Sequence, residues 1–281
     1  MHRDVIEYLE GVSDPEKVRL SKRWDRDKDY ETYGLSASDY ADLYEEFDPR
    51  FLALDLDERL RLADRWAKSD NSTLTHLGIH LLGLSTREGA LRPAHFGFLD
   101  EFLESFRGWG STDMFCGVVL QPLLEVYADE VLDLLRRWNA SESPWKRRAS
   151  VVAFTRRTAR SGRYIDVALS LCDNLIRDEE DLVRKGVGWA LKDNMRADKE
   201  RILAYVKSLR RMGVSSTITL YAIRDLKGEE RQEVLSIKPP RKRRGSTRGS
   251  SRPRSMQRRD EPRSSECSNS SCEGRGGDCG W

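Results

Sequence analysis

The sequence lacks long apolar runs, and its 281 residues include only 9 prolines, 20 glycines and 5 cysteines. Its mean hydropathy is −0.67. A transmembrane helix needs about 20 consecutive apolar residues, and no such run is present. The N-terminus also lacks the apolar stretch of a secretion signal. We therefore expect no membrane association and a cytoplasmic location.

Cysteine and glycine provide no sign of a cofactor site. Cys116 and Cys172 lie in apolar helical stretches, so we expect both to be buried. Cys267, Cys272 and Cys279 follow a spacing that lacks the paired CxxC or Cys/His ligands of zinc sites. An HExxH motif and a Gly-rich phosphate loop are also missing. We predict neither a metal nor an organic cofactor.

Strand signals are missing as well, because no alternating Val/Ile/Thr-rich run is bounded by Asn-Gly or Asp-Gly turns. Apolar residues instead recur at helical spacing in two stripes, separated by residues 127–130. The stripes contain Val118, Val119, Leu123, Leu124 and Val126, then Val131, Leu132, Leu134 and Leu135. We expect each stripe to be the buried side of a helix, and the fold class to be all-α.

Capping residues and breakers predict where the helices begin and end. Ser36 with Asp39 opens a helix that ends near Asp48-Pro49, and Asp55 with Glu58 opens another. Further starts are predicted at Ser111 with Asp113 after the Gly108-Trp109-Gly110 turn, and at Ser141 or Ser143 before Pro144. Later helices are predicted at about 163–176, 179–193, 196–212 and 215–227.

Short loops between these helices fit stacked antiparallel pairs that repeat about every 35 to 45 residues. No sequence motif is shared between the pairs, so a compact helical bundle remains an alternative. We place the helical domain at residues 1–237. Residues 238–281 are Ser/Arg/Gly-rich with almost no aliphatic side chains, and we expect them to be disordered. This tail either attracts phosphates or is a dispensable extension.

Charge is segregated along the chain although the net charge is only +2. The tail holds 12 Lys/Arg against 5 Asp/Glu, which leaves 37 against 42 in residues 1–237. Within that acidic domain, residues 136–163 contain nine basic residues and one acidic residue. The region indicates a surface for a polyanion, or alternatively a solvated helix face.

Three short clusters combine tryptophan with charged residues. In the first, residues 108–113, a spacing of four places Trp109 and Asp113 on one side of a helix start. The positive helix terminus favours the ionised form of that carboxyl. The second cluster contains Trp145, Arg147 and Arg148, and the third contains Lys185, Trp189 and Lys192 on one helix face. Each also has a structural explanation, as a core tryptophan, a capping aspartate or a solvated face.

Taken together, the clusters resemble the DNA alkylation repair enzyme family, the AlkD-like HEAT-repeat alkylpurine DNA glycosylases. The resemblance rests on Trp109 with Asp113, on the W-x-x-R-A segment at 145–149, and on the [QR]-K-[AG]-[IV]-G-W-x-L segment at 184–191. It covers residues 109–226 and extends weakly to Tyr33-Gly34-Leu35. Trp24, Tyr30 and Tyr33 are all candidates for the family's DNA-facing N-terminal aromatic residue.

The resemblance implies a C-shaped HEAT-like α-solenoid, a monomer, whose concave basic face binds duplex DNA. It implies hydrolysis of the N-glycosidic bond of N3- or N7-alkylated purines, without flipping the lesion into a pocket, and a nucleoid-associated location. Asp113 would be the catalytic carboxylate, with Trp109 and Trp189 as aromatic walls and Arg148 as a DNA contact. The other candidate DNA-binding residues are Arg147, Lys185, Lys192 and Trp145.

The chemistry of the residues agrees with these implied roles. An alkylated purine already carries positive charge, so it leaves without a general acid, and one carboxylate suffices to stabilise an oxocarbenium-like sugar. The alternative is a non-catalytic helical-repeat protein that binds DNA or protein partners. An exposed Asp113 beside Trp109, Trp189 and Arg148 would favour catalysis, whereas burial in a helix cap would favour the alternative.

Overall fold

A computed structural model describes residues 1–24 and 30–238, without the side chains of residues 23 and 24. Nearly all of the predicted tail, with its three cysteines, lies outside the described residues, as does the side chain of Trp24. The described residues of the first half form eight α-helices. They are α1 (His2–Val12), α2 (Pro15–Trp24), α3 (Ala37–Leu52), α4 (Leu56–Ala67), α5 (Ser72–Arg87), α6 (Phe96–Glu104), α7 (Trp109–Phe115) and α8 (Gln121–Val126).

A short 3₁₀ turn, Pro93–His95, precedes α6, and a π-helical turn, Cys116–Leu120, joins α7 to α8. The described residues of the second half form eight further helices. They are α9 (Ala128–Asn139), α10 (Pro144–Val152), α11 (Arg156–Arg160), α12 (Ile165–Asn174), α13 (Asp181–Asn194), α14 (Lys199–Arg211), α15 (Ser216–Ala222) and α16 (Gly228–Ser236). The prediction of an all-α fold is confirmed. In the described part of the chain, β pairing is limited to an isolated bridge between Glu31 and Asn71.

The helices pack as consecutive pairs arranged in two rows. In the first row, α5, α7, α10, α13 and α15 each contact the next. In the second row, α4, α9, α12 and α14 each pack against the helix that follows them in the chain. This is the helical-repeat arrangement predicted above, and it brings α7, α10 and α13, which carry the three tryptophan clusters, side by side.

Both predicted capping boxes are present. The Ser36 hydroxyl accepts from the Asp39 backbone N–H, and the Asp39 carboxylate accepts from the Ser36 backbone N–H. At α4 the side chains of Asp55 and Glu58 accept from each other's backbone N–H in the same way. The predicted end of α3 near Asp48-Pro49 is wrong, because the helix continues to Leu52 with Pro49 inside its last turn. Proline has no N–H to bond to the carbonyl four residues earlier, so the packing of the buried Phe47 and Phe51 has to offset that loss.

The predicted start at Ser111 is also wrong, since α7 begins at Trp109 with Gly108 as its N-cap. The π-helical turn that follows has a local cause. Pro122 has no N–H, and its ring would clash with the Val118 carbonyl in a regular α-helix. Widening the helix by one residue relieves that conflict immediately after the Asp113 turn.

One hydrophobic core runs along the array, and its largest fully buried side chains include Trp66, Trp138 and Phe115. Cys116 and Cys172 are buried as predicted. Val126 is 70% exposed at the last residue of α8, so its assignment to a buried stripe is wrong. Across the described residues, none of the helices combines the length and apolarity that crossing a membrane requires.

Candidate active site

Asp113 on α7 and Arg148 on α10 form a two-point ion pair between neighbouring helices of the first row. Arg148 Nε lies 2.9 Å from Asp113 Oδ1, and Arg148 Nη2 lies 2.8 Å from Oδ2. The third guanidinium nitrogen, Nη1, donates to the Leu182 carbonyl at the start of α13. One arginine therefore connects the three helices that carry the tryptophan clusters.

Asp113 lies in neither of the two environments considered from sequence. The residue is 7% exposed, so it is not an open carboxylate, and Arg148 is 5% exposed. Nor does Asp113 cap a helix, because it is the fifth residue of α7 and both of its oxygens face Arg148. Each oxygen accepts one bond from Arg148, which leaves a second acceptor direction on each oxygen for another partner.

Burial raises the pKa of the Asp113 carboxyl above its usual range, and the positive charges of Arg148 and Arg156 offset part of that rise. A desolvated carboxylate interacts more strongly with a nearby cation than an exposed one, because the local dielectric is low. A titratable group perturbed in this way is typical of functional sites, although structural ion pairs also produce it.

Glycine at position 186 makes room for Arg148. An added Cβ at Gly186 would lie 3.3 Å from Arg148 Cγ and 3.5 Å from Nη1. Two residues later, a Cβ at Gly188 would lie 2.7 Å from Tyr221 Cβ and 2.8 Å from the Ile218 carbonyl oxygen. The two glycines of the G-V-G-W segment therefore serve different contacts. Gly186 leaves space for the Arg148 side chain, and Gly188 allows α15 to pack closely against α13.

Trp109 is 44% exposed at the start of α7, one helical turn before Asp113. It lines a cavity of about 270 Å³ whose other walls include Tyr30, Tyr40 and His76. Of the three candidates for an N-terminal DNA-facing aromatic, Tyr30 therefore lies on the same cavity as Trp109. Tyr33 packs against the core instead.

Trp189 is half-buried on α13 and has two polar neighbours. Its indole Nε1 donates to Asp193 Oδ2 at 2.9 Å. The Arg156 guanidinium carbon lies 5.2 Å from the centroid of its ring, within cation–π range. The positive charge of Arg156 also offsets part of the rise in the pKa of Asp113. Arg156 therefore interacts with both Trp189 and Asp113.

The remaining candidate DNA-binding residues are engaged within the fold. Arg147 pairs with Asp178 at 2.6 Å, and Lys185 pairs with Asp181 at 2.8 Å. Lys192 lies 3.1 Å from both Asp193 and Asp225, and Trp145 packs against the core. Their roles at DNA stay predictions, since contact with a phosphate requires each cation to share or exchange its present partner.

Sequence reasoning missed Arg156, Asp193 and Gln121. Arg156 lay within the basic region 136–163, but nothing distinguished it from the other eight cations. Gln121 gave no signal, because its partners are more than 30 residues away in sequence. Asp193 bonds to Arg156 at a similar separation, and its spacing of four from Trp189 was the one local signal that could have indicated it. Among the described residues, no group of three or more His, Cys, Asp or Glu side chains is arranged to hold a metal ion.

The helical region also resembles known proteins. A family model described as "DNA alkylation repair enzyme" matches residues 5–226. A solved structure titled "Predicted DNA alkylation repair enzyme from Enterococcus faecalis" matches with a TM-score of 0.68 and 12% sequence identity, covering 76% of this chain and 96% of that one. Comparison with curated proteins gave no match. At this identity, the structural likeness supports the fold alone.

Proposed function

The chain belongs to the DNA alkylation repair enzyme family, and on that premise we propose that it is a DNA glycosylase acting on N3- and N7-alkylated purines in duplex DNA. The observation that carries the proposal is the Asp113 carboxylate, held at two points by Arg148 one helical turn from the exposed Trp109. The reaction is hydrolysis of the N-glycosidic bond. We propose a cytoplasmic, nucleoid-associated monomer as the acting species.

The substrate itself supplies much of the driving force for bond cleavage. An N3- or N7-alkylated purine is cationic in DNA, so its departure yields a neutral base and needs no proton from the enzyme. The sugar that remains develops oxocarbenium character, and a fixed negative charge stabilises it. This requirement fits a single carboxylate without metal or organic cofactor.

In this proposal Asp113 faces the sugar carbon and also orients the attacking water. Its low exposure is favourable, because a desolvated carboxylate stabilises a developing cation more than a solvated one does. Arg148 then acts as a positioning residue for Asp113 through its two hydrogen bonds, and direct contact with DNA becomes its secondary role.

Trp109 and Trp189 provide aromatic surface for the sugar and the cationic base. An indole face attracts a cation by about 0.5 to 2 kcal/mol, depending on how far the pair is desolvated. Trp109 lies on α7 and Trp189 on α13, the two helices that flank α10 in the first row, and α10 carries Arg148. The lesion then needs no flipping into a deep pocket.

Release of 7-methylguanine and 3-methyladenine from alkylated duplex DNA tests the proposal. We expect purified protein to release both bases and Asp113→Asn to lose release while DNA binding is retained. The asparagine keeps the size of the side chain and one acceptor oxygen but leaves the buried Arg148 without its carboxylate partner. Both proteins are therefore assayed at a temperature at which circular dichroism shows the variant to be fully folded. Release by the variant at the rate of the parent would contradict a catalytic role for Asp113.

A second candidate function is favoured by the same ion pair. Since both oxygens of Asp113 bond to Arg148 and 7% of the residue is exposed, the pair also suits a structural link between α7 and α10. The protein would then be a non-catalytic repeat protein that binds DNA structures or a protein partner. Tight, salt-sensitive DNA binding without base release would favour the DNA binder, and absence of both would favour the protein partner.

The tail at 238–281 enters the proposal as an electrostatic aid. The tail contains 12 basic and 5 acidic residues, and its net positive charge would raise the affinity for DNA at low salt. Comparing the full chain with a chain ending at residue 238 would test this, since loss of affinity should shrink as salt increases. Equal affinities at low salt would make the tail a dispensable extension.

A further inference from the structure

The turn that leads from α10 into the first residue of α11, residues 153–156, is held by three side chains from two neighbouring parts of the fold. Gln121 reaches it from α8, while Asp193 and Asn194 reach it from α13. Gln121 Nε2 donates to the Ala153 and Thr155 carbonyls at 3.3 and 3.1 Å, Asn194 Nδ2 donates to the Phe154 carbonyl at 2.9 Å, and Asp193 Oδ2 accepts from the Arg156 backbone N–H at 2.7 Å.

Arg156, the last residue of this turn, has a left-handed backbone with φ of +52°. Such a conformation is unfavourable for a long side chain and persists only where the surroundings fix it. Among the residues that the structure describes, the other non-glycine residue with positive φ is Asp70, and aspartate tolerates this region better. Glycine would meet the backbone requirement at position 156 without strain, so the arginine side chain calls for a separate explanation.

The strained backbone directs the Arg156 guanidinium toward the candidate active site. It lies over the Trp189 ring, with the guanidinium carbon 5.2 Å from the ring centroid, and Nη1 is 3.4 Å from an ideal Cβ at Gly117, one turn beyond Asp113. The side chain is exposed. Within residues 1–24 and 30–238, it forms no ion pair, unlike Arg147, Arg148 and Lys192.

Asp193 connects Arg156 with Trp189. The same oxygen, Oδ2, accepts from the Arg156 backbone N–H and from the Trp189 indole, and Oδ1 lies 3.1 Å from the Lys192 ammonium. The carboxylate is 2% exposed, so these contacts are well shielded from water. Moving Asp193 would release both the turn and the indole ring.

We propose that Arg156 binds a backbone phosphate of the DNA strand beside Asp113, and that Asp193 is the positioning residue that fixes both Arg156 and Trp189 for it. The proposal rests on the DNA-binding part of the proposed function and not on base release. An exposed guanidinium offers a planar set of donors that matches a phosphate, and stacking on an indole pre-orients it. Phosphate contacts of this kind fix the register of the strand without reading its sequence.

The test measures the affinity of the full chain for an unmodified duplex oligonucleotide between about 50 and 200 mM salt. The slope of log affinity against log salt concentration reports how many phosphates the protein contacts. We expect Arg156→Gly to weaken binding roughly tenfold at the lowest salt and to reduce the log–log slope by about 1. The thermal unfolding temperature of this variant should equal or exceed that of the parent, because glycine relieves the backbone strain. The control is Arg211→Gln on α14, an exposed arginine of the second row, which should alter neither quantity.

The positioning role of Asp193 is tested by rescue and by non-additivity. Asp193→Ala removes both acceptors and should reduce the salt slope as Arg156→Gly does. Asp193→Asn keeps one oxygen for the two N–H donors and should recover most of the affinity. When Asp193→Ala is combined with Arg156→Gly, we expect no further loss of DNA affinity, because both changes remove the same contact.

The outcomes separate this inference from the glycosylase proposal. If the parent protein binds DNA without releasing bases and Arg156→Gly still lowers the slope, the inference stands and the glycosylase proposal fails. If Arg156→Gly binds with the parent's slope, Arg156 is not a phosphate ligand. Additive losses for Asp193 and Arg156 would overturn the positioning role, and a parent protein without salt-dependent DNA binding would overturn the whole inference.

Discussion

Asp113 and Arg148, 35 residues apart in sequence, meet as a buried two-point ion pair with N–O distances of 2.8 and 2.9 Å. Because Arg148 also donates to the Leu182 carbonyl, the pair spans α7, α10 and the start of α13. A buried pair of this kind is costly to break, since removing one partner leaves the other charge desolvated and unmatched.

The first prediction concerns stability. We expect Arg148→Met to lower the free energy of unfolding by about 3–5 kcal/mol, because it leaves the Asp113 carboxylate buried without a partner. Adding Asp113→Leu should restore much of that loss, since no charge then remains unpaired. Urea denaturation of the parent, both single variants and the double variant measures the coupling.

The surface pair Asp133–Arg136 provides the control for this cycle. Both side chains are more than half exposed and lie one turn apart on α9. Solvent screening limits such pairs to about 0–1 kcal/mol. If the Asp113–Arg148 cycle yields a coupling as small as this control, the pair is not the buried link between helices that the structure describes.

The second prediction concerns the pH dependence of base release. Because burial raises the pKa of Asp113, its charged form should be lost as pH falls through a value above the ordinary 3.8. Activity should therefore decline on the acid side at a higher pH than an unperturbed aspartate would cause. A pH–rate profile under single-turnover conditions measures this decline, the acid limb of the profile.

Arg148→Lys provides a directional check on the same profile. The lysine keeps one charge but loses the two-point contact, so less of the pKa rise is offset and the acid limb should move to higher pH. An acid limb at or below the ordinary aspartate value in the parent would show that another group controls the rate.

Local features of the fold were predictable because their signals lie within a few residues. The capping boxes at Ser36 with Asp39 and at Asp55 with Glu58 are each complete within four positions of sequence. The burial of Cys116 and Cys172 followed from apolar neighbours at helical spacing. The end of α3 was misjudged, because tertiary packing keeps Pro49 inside a helix that local propensity alone would end earlier.

The environment of the site could not be predicted in the same way. The sequence singled out Trp109, Asp113 and Arg148 as candidates. It could not show that Arg148 donates its hydrogen bonds to the Asp113 carboxylate and the Leu182 carbonyl. Those contacts depend on how α7, α10 and α13 pack. Likewise, the turn that leads into Arg156 is held by Gln121 at the Thr155 carbonyl and by Asp193 at the Arg156 N–H, and no short-range pattern connects these residues.

A third prediction concerns Asp39 at the start of α3. Hydrogen bonds from Lys17 and Ser36 lower the pKa of its carboxyl to about 2. The stabilisation from the charged carboxylate is therefore present above the unfolded-state value near 3.8 and is lost as pH falls toward 2. Titration followed by NMR should give this low pKa in the parent protein.

Lys17→Met separates the two contributions at Asp39. The lysine is the largest cause of the lowered pKa, so its removal should raise the value toward 3.8 while the bonds from Ser36 keep it partly depressed. An unchanged pKa in this variant would mean that the Lys17–Asp39 pair at 2.8 Å does not persist in solution.

The last prediction uses the glycines to separate the placement of Arg148 from the stability of α13. At Gly186 the neighbour that an added Cβ would crowd is Arg148 Cγ at 3.3 Å, the stem of a side chain that can shift. Alanine also improves helix propensity by up to about 1 kcal/mol. We therefore expect Gly186→Ala to leave the free energy of unfolding within about 1 kcal/mol of the parent while base release falls, because Arg148 moves relative to Asp113.

Two other helical glycines calibrate that result. A Cβ at Gly97 on α6 meets nothing within 4 Å, so Gly97→Ala should leave base release unchanged and stability equal or higher. At Gly188 the Cβ would lie 2.8 Å from a backbone oxygen of α15, which cannot move cheaply, so Gly188→Ala should destabilise the fold. Urea denaturation and base release measured on all three variants distinguish crowding of the site from crowding of the helix interface. If Gly186→Ala releases bases at the parent rate, the precise placement of Arg148 is not needed for the reaction, and the positioning role proposed for it fails.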